Sequence, residues 1–403
     1  MIPQDSNAPV IFSRIAAQEG KYVGIATFNV EKTLNALSME MVQLLHTQLQ
    51  AWEQDSSIAV VMLEGAGDKA FCAGGDLQNL YTSMRAHHAS TQSEDVLGNP
   101  CALDFFSQEY RLDYLIHTYQ KPILCWGHGI VMGGGIGLMA GASHRVVTEK
   151  SRLAMPEIAI GLFPDVGGSY FLSRMPNKLG LFLALTGASI NSTDAKFIRL
   201  ADVQLPHASK TEVLTTLQTM LWSEQDSDNH QRLHLVLQHL EAKHASAALP
   251  GPLEQQASQI AKLCEGDDLQ TIVSDITSLA STENIDLYLQ KAANNLQKGN
   301  PTSAWLAYAL QDAAQHLSLA EVFRMELVAA LVCAQEPDFA EGIRALIIDK
   351  DLQPHWKAEN LNNVSAISKE KFFRSPWLAQ HHPLHDLERS SNKTINARAA
   401  EAA

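Results

Sequence analysis

Two carboxylates stand eight residues apart in the run Met155-Pro156-Glu157-Ile158-Ala159-Ile160-Gly161-Leu162-Phe163-Pro164-Asp165-Val166-Gly167-Gly168. Surface acids usually have polar neighbours, whereas these have Ile, Leu, Phe and Val. Apolar surroundings penalise the charged form and lift a carboxyl pKa toward the working range of a general base. Glu157 and Asp165 are therefore candidate acid–base or nucleophilic groups. Asp165 has a second reading, as the cap of a helix beginning at Val166.

Chemistry at a carbonyl also needs donors for a developing negative oxygen, and two glycine-rich segments could supply them. Phe71-Cys72-Ala73-Gly74-Gly75-Asp76 places adjacent glycines where the backbone can approach a ligand and aim N–H groups into a cavity, although the same residues also suit a plain turn. In His128-Gly129-Ile130-Val131-Met132-Gly133-Gly134-Gly135-Ile136-Gly137, three consecutive glycines lead from a strand into a helix. That junction gathers free amides and the positive end of the helix dipole. One amide from each segment would make a pair of oxyanion donors, and losing one such donor typically costs ~3–4 kcal/mol of transition-state stabilisation. Glycine also permits close helix–strand packing, which is the alternative reading of this run. Gly135-Ile136-Gly137-Leu138-Met139-Ala140 matches a loose dinucleotide fingerprint, but the helix it opens is too short for a crossover and no acid lies at the ribose offset. Glu109, set among Phe105, Phe106 and Tyr110, reads from spacing alone as an ordinary helix-face residue.

The elements that must position these residues are legible in outline. Tyr22 to Val30 and Ile58 to Glu64 are β-branched-rich and read as strands, and Val42, Leu45, Leu49 and Trp52 share a helical face between them with Ser38 as its N-cap. Further strands are expected near Ile123 to Gly127, Arg145 to Thr148 and Arg152 to Met155. This is an α/β pattern with a parallel sheet. From about Thr211 the chain turns helical, with Leu214, Leu217 and Leu221 on one face, then Leu233 to Leu240, and a break at Pro250-Gly251-Pro252. Asn300-Pro301 marks a helix start. Ser318 with Glu321, and Asp338 with Glu341, both have capping-box spacing. The expected division is a catalytic core over 1–210, a helical connection over 211–300, a C-terminal helical region over 301–375 and a flexible tail over 376–403.

Composition bounds the function. Acidic residues number 44 against 30 basic ones, for a net charge of -14, which argues against nucleic acid while leaving room for a single phosphorylated ligand. The five cysteines are scattered, without a CxxC pair, so neither a disulfide framework nor a metal site is expected. Met1 to Val10 lacks the charged and apolar regions of a secretory leader, and Ile123 to Ala142 is interrupted by seven glycines, so no membrane association is expected either. These features read as a soluble, cytoplasmic protein.

The three glycine-and-acid segments, in this order and spacing, resemble the crotonase superfamily over roughly Tyr22 to Leu205. The resemblance implies a spiral of ββα turns with a helical C-terminal region and a coenzyme A thioester as substrate, without a separate cofactor. It assigns the oxyanion hole to the amides of Gly75 and Gly134, catalysis to Glu157 and Asp165, and substrate contacts to Glu109 and Asp76. Hydratases of the superfamily usually carry a glutamate where this chain has Gly137, and commonly glycine where it has Asp165. Loss of one acid and gain of another is the pattern of the branch that hydrolyses short 3-hydroxyacyl-CoA thioesters. The segments from Asn300 to Ser303, Asp338 to Ala345 and Ile348 to Asp351 resemble that branch as well, and a hydratase or isomerase is the alternative. Departures occur at Val30-Glu31, where relatives often have Arg-Pro, and at Gln108, which replaces a common acid. Lys69 and Lys350 are candidates for the CoA phosphates, and the superfamily's trimers and hexamers leave a homo-oligomer open.

Overall fold

β-Branched and aromatic side chains fit a pleated surface, and the first two such runs form paired strands. The computed structural model describes residues 7–244 and 249–388. β1 (Val10–Ala16) and β2 (Tyr22–Phe28) form an antiparallel hairpin. α1 (Met39–Gln54) follows, with the Ser38 hydroxyl accepting from the Met41 amide and Val42, Leu45, Leu49 and Trp52 all buried. β3 (Ile58–Gly65) then runs parallel to β2. β4 (Ala70–Cys72), α2 (Leu77–His88), α3 (Pro100–His117), β5 (Ile123–Gly127), β6 (Ile130–Met132), α4 (Gly134–Gly141), β7 (His144–Val147) and β8 (Arg152–Ala154) complete a repeating strand–strand–helix path. β9 (Val203–Gln204) closes the edge, beyond α5 (Gly168–Ser173), α6 (Leu179–Thr186) and α7 (Ser192–Phe197).

The large sheet has the order β1-β2-β3-β5-β7-β9, parallel except at β1. Its central strands β3 and β5 are buried on both faces, as parallel strands are, and side-chain alternation divides the core. Val61, Leu63, Ile123, Cys125 and Val147 join the larger core with Leu45, Leu49 and Leu112. Val60, Met62, Leu124, Trp126 and Val146 face the other way, where they meet Val213 and Leu217 of α8 (Lys210–Thr219) and Leu233, Leu237 and Leu240 of α9 (Asp226–Lys243). Leu221, expected on the same helical face, lies beyond the end of α8 and is exposed.

Three short strands build the second sheet, in the order β4-β6-β8, all parallel. Each is the last strand before one of the chemistry-bearing segments. The helical half continues through α10 (Pro252–Leu263), α11 (Leu269–Ser278), α12 (Leu287–Lys298), α13 (Pro301–Ala314), α14 (Leu319–Gln335) and α15 (Pro337–Ile343). The Ser318–Glu321 capping box forms, but the one expected at Asp338 does not. Glu336 is the N-cap of α15, Asp338 accepts from the Asn300 side chain and the Lys357 amide, and Glu341 instead pairs with Arg344. The tail expected from 376 is packed in part, with Leu378 exposed. Leu384 and Leu387 are buried, and Asp386 pairs with Arg111 of α3 at 2.7 Å. The remainder, 389–403, lies outside the described residues, as do residues 1–6 of the leader reading.

Candidate active site

Because β4, β6 and β8 are neighbours and parallel, the loops leaving their C-terminal ends converge. Such strand ends are where α/β sheets hold ligands. Register places Ala70 beside Ile130, and Ile130 beside Arg152. The segments beginning at Ala73, Gly133 and Met155 therefore open into one place.

The first loop is held by strand-like pairing with the residue before α1. Leu37 N–H donates to the Gly74 carbonyl at 2.8 Å and Asp76 N–H to the Leu37 carbonyl at 2.9 Å. Gly74 takes φ +103, a conformation that side chains rarely adopt. Between these bonds the Gly75 amide has no acceptor among the described residues. In the second loop, Gly133 takes φ +50 and Gly134 is the first residue of α4, so its amide belongs to the orphan donors of the helix start. The two amides are close neighbours. A Cβ added at Gly134 would lie 3.7 Å from the Gly75 nitrogen, and one added at Gly74 would lie 3.8 Å from the Gly134 nitrogen.

Acids from two other elements reach the same spot. A Cβ at Gly134 would stand 2.5 Å from Glu109 Oε1, and one at Gly133 would stand 3.1 Å from Glu157 Oε1. Glu109 comes from the middle of α3 and Glu157 opens a 3₁₀ turn, 157–160, just beyond β8. Both are almost wholly buried, at 3 % and 5 % exposure. Burial, then repulsion from Asp165, pushes both carboxyls well above the usual range, and Glu157 and Glu109 also repel one another. Asp165 accepts a 2.7 Å hydrogen bond from the Tyr110 hydroxyl. Burial pushes it up to about 6, held down from higher by that bond and by backbone donation. Among these three acids it is the best stabilised as an anion.

The turn carrying Asp165 is strained and clamped. Val166 has φ +52, costly for a β-branched residue, and Gly167 follows at φ +84. Glu326, from the middle of α14, accepts from the Gly167 amide at 2.8 Å and the Ser169 amide at 2.9 Å. Burial pushes Glu326 up to about 8 despite those two donors. The helix near Asp165 begins only after Gly167, so Asp165 is not its cap.

The structure thus gathers Gly75, Gly134, Glu109, Glu157 and Asp165. Asp76 adjoins them in sequence, but its carboxylate caps α2, accepting from the Gln78 amide and the Asn79 side chain. Lys69 and Lys350 are exposed. Sequence reasoning missed Tyr110, Asp113 and Glu326. Asp113 is one helical turn beyond Glu109, and Glu326 is an acid in the middle of α14 just before the apolar run Leu327 to Ala334, so both carried a usable signal.

Similarity to known proteins extends over most of the chain. Residues 23–373 match the family described as enoyl-CoA hydratase/isomerase. The mitochondrial 3-hydroxyisobutyryl-CoA hydrolase of Danio rerio is 37% identical over 375 residues, covering 93% of this chain and 92% of that protein. The enzyme of the same name from Homo sapiens is 34% identical over 354 residues, covering 87% and 86%. Among solved structures, a carnitinyl-CoA dehydratase from Mycobacterium thermoresistibile superposes with a TM-score of 0.75 at 33% identity, covering 92% of this chain and 97% of its own. The cytoplasmic expectation is corrected by these relatives, which are mitochondrial enzymes. The pattern of a secretory leader is silent on organelle targeting. No helix among the described residues is long and apolar enough to cross a membrane.

Proposed function

This chain belongs to the enoyl-CoA hydratase/isomerase family, and on that premise we propose that it hydrolyses a short 3-hydroxyacyl-CoA thioester. The substrate that fits best is 3-hydroxyisobutyryl-CoA, split by water into 3-hydroxyisobutyrate and CoA, a step of valine degradation. The observation that carries this reading is the convergence of two free loop amides with the buried carboxyl of Glu157. Amides at Gly75 and Gly134 polarise the thioester carbonyl and stabilise its oxyanion, which is strongest where water is excluded. Glu157 either attacks the carbonyl, giving a mixed anhydride that water then opens, or removes a proton from the attacking water. Asp165, anionic and oriented by Tyr110, holds the acyl hydroxyl or the water. Glu109 supplies a further polar contact beside Gly134, and Asp76 fixes the start of α2 at the rim. The reaction draws on no cofactor beyond the CoA of the substrate.

Water addition to a double bond is the nearest rival, and Gly137 speaks against it. A Cβ there would meet Val166 at 2.6 Å and Asp113 Oδ1 at 3.2 Å, so the position has neither an acid nor room for one. The acyl group is less sharply defined, because one methyl in an apolar pocket discriminates by only ~1–3 kcal/mol. A thiol-release screen over short acyl-CoAs tests the proposal. Release from 3-hydroxyacyl esters, with no change in enoyl absorbance, is the expected result. An enzyme that leaves every thioester intact while hydrating crotonyl-CoA would sink it. Single turnover in isotope-labelled water then separates the two roles of Glu157, since only the anhydride route puts label into its carboxyl.

A further inference from the structure

The amides that open a helix have no partner inside it and are usually met by the side chain at the N-cap. α5 has Gly167 in that position, at φ +84, with no side chain to offer. The acceptor comes instead from 159 residues along the chain. The Gly167 amide donates to Glu326 Oε2 at 2.8 Å and the Ser169 amide to Glu326 Oε1 at 2.9 Å. Both carboxyl oxygens of this fully buried residue are thus committed, one on each side of Gly168. The Gly168 amide in turn donates to the Asp165 carbonyl at 2.6 Å. Glu326 and the backbone of Asp165 are therefore joined through one short turn.

α14 reaches Asp165 by a second route. Phe323, one helical turn before Glu326 and on the same face, packs against the Tyr110 ring with centroids 5.6 Å apart. The Tyr110 hydroxyl donates to Asp165 Oδ2 at 2.7 Å, and both rings are fully buried. One helix thus ties the backbone of Asp165 and props the donor to its carboxylate. Capping alone does not account for this arrangement, because Ser, Thr, Asn or Asp at 167 would cap α5 locally. The turn keeps Val166 and Gly167 left-handed and borrows its acceptor from the helical half. Strain at a β-branched residue persists only where the surroundings over-determine it, and such strain clusters at functional sites.

We propose that Glu326 is a positioning residue for Asp165, and that through it α14 sets the preference of the site for acyl groups bearing a 3-hydroxyl. The inference rests on the hydrolase reading above and takes the acyl hydroxyl as the partner of Asp165. A carboxylate that accepts from Tyr110 keeps lone pairs for a second donor. A hydrogen bond weakens steeply as its distance and angle depart from the ideal, so a shift of the turn costs the contact to the substrate hydroxyl. Gly75, Gly134 and Glu157 stand on other loops, held by other bonds, and the carbonyl chemistry does not depend on this turn. Glu326 therefore acts on which acyl group is held, through Asp165 alone.

Glu326→Gln keeps an acceptor for one amide and turns a donor toward the other, which loosens one side of the turn. The quantity to measure is KM for 3-hydroxyisobutyryl-CoA against the inhibition constant of isobutyryl-CoA, the same acyl group without its hydroxyl. KM is expected to rise about tenfold while the inhibition constant stays within about twofold. Partial unfolding lowers kcat and moves neither constant, so their ratio separates positioning from stability. In an Asp165→Asn background, Glu326→Gln is expected to add no further loss, since both act on one contact. A folded Glu326→Gln enzyme with the wild-type ratio overturns the proposal, and so does a loss that multiplies with that of Asp165→Asn. If Glu326→Gln does not fold, Glu326→Asp, with both acceptors on a stem one carbon shorter, is judged by the same ratio. A wild-type protein that releases no thiol from any acyl-CoA brings down the hydrolase reading first. Normal hydrolysis with a ratio that the variants leave unmoved brings down only the positioning role.

Discussion

Residue type and local environment together set which acid does what. Glu157, Glu109 and Asp165 share one buried space, yet only Asp165 has a hydroxyl donor aimed at its carboxyl. Environments that push neighbouring carboxyls apart in pKa are what assign acid and base roles. Glu157→Gln keeps the side-chain volume and removes the nucleophile or base. Its kcat should fall by roughly a hundredfold or more with melting temperature retained, and near-normal turnover would remove Glu157 from the reaction. Tyr110→Phe tests the charge on Asp165. Burial raises the Asp165 pKa to about 6, and the Tyr110 bond keeps it from standing higher. Losing the donor raises it further, so the acid limb of the kcat/KM profile should move to higher pH, and a limb that stays in place would exclude Asp165 as the group reported. At this scale much was readable from sequence, because acids in an apolar run are conspicuous. The roles of Tyr110 and Glu326 were hidden. Each acts on a turn that is distant along the chain, and no local spacing connects residues 110 or 326 with 165–169.

Elements deliver those residues. Gly75, Gly134 and Glu157 lie far apart in sequence and meet because three short parallel strands stand side by side. The flanking glycines were legible as loops near a ligand, and the strands β4 and β6 were not. They are three residues each, too short for alternation to register as a strand signal. The capping boxes show the same limit. Ser318 and Glu321 close one, whereas Asp338, with equal spacing, is taken by Asn300 and Lys357. A tertiary partner overrides a local motif when it offers two bonds at a buried position. Glycine in α4 has a packing role that substitution can expose. A Cβ at Gly135 would fall 2.3 Å from the Cys72 carbonyl oxygen, backbone against side chain with nothing flexible to yield. Gly135→Ala must therefore push α4 away from β4 and separate the Gly75 and Gly134 amides. Transition-state stabilisation should drop by about 3 kcal/mol, the worth of one oxyanion donor, together with a lower melting temperature. Unaltered kcat/KM would mean that the two amides are not held by this contact.

Across the whole molecule, the helical half completes the catalytic half. α14 sends Glu326 to clamp the turn behind Asp165, and the segment around Leu384 packs on α3 through the Arg111–Asp386 pair. The division into separate core and tail regions read from composition is thus crossed by buried contacts. One consequence is thermodynamic. Glu109, Asp113, Glu157, Asp165 and Glu326 are five buried acids, all with pKa raised by burial first of all. For a group whose folded-state pKa is raised, the unfolded chain releases its proton first, so stability falls as pH rises. The contribution is fully present below the unfolded values of 3.8 for Asp165 and 4.5 for Glu326, and is lost as the pH climbs through about 6 for the first and about 8 for the second. The usual surface carboxylate, lowered by a cation, behaves in the opposite sense. Denaturant unfolding at fixed temperature should therefore give a midpoint that declines between pH 5 and pH 8, a window bracketed by these values. Glu326→Gln keeps an acceptor for one amide and removes the titration, so its decline should be shallower than wild type. A midpoint that rises over the same interval would mean that these acids fold as anions and that the site carries its charges from the outset.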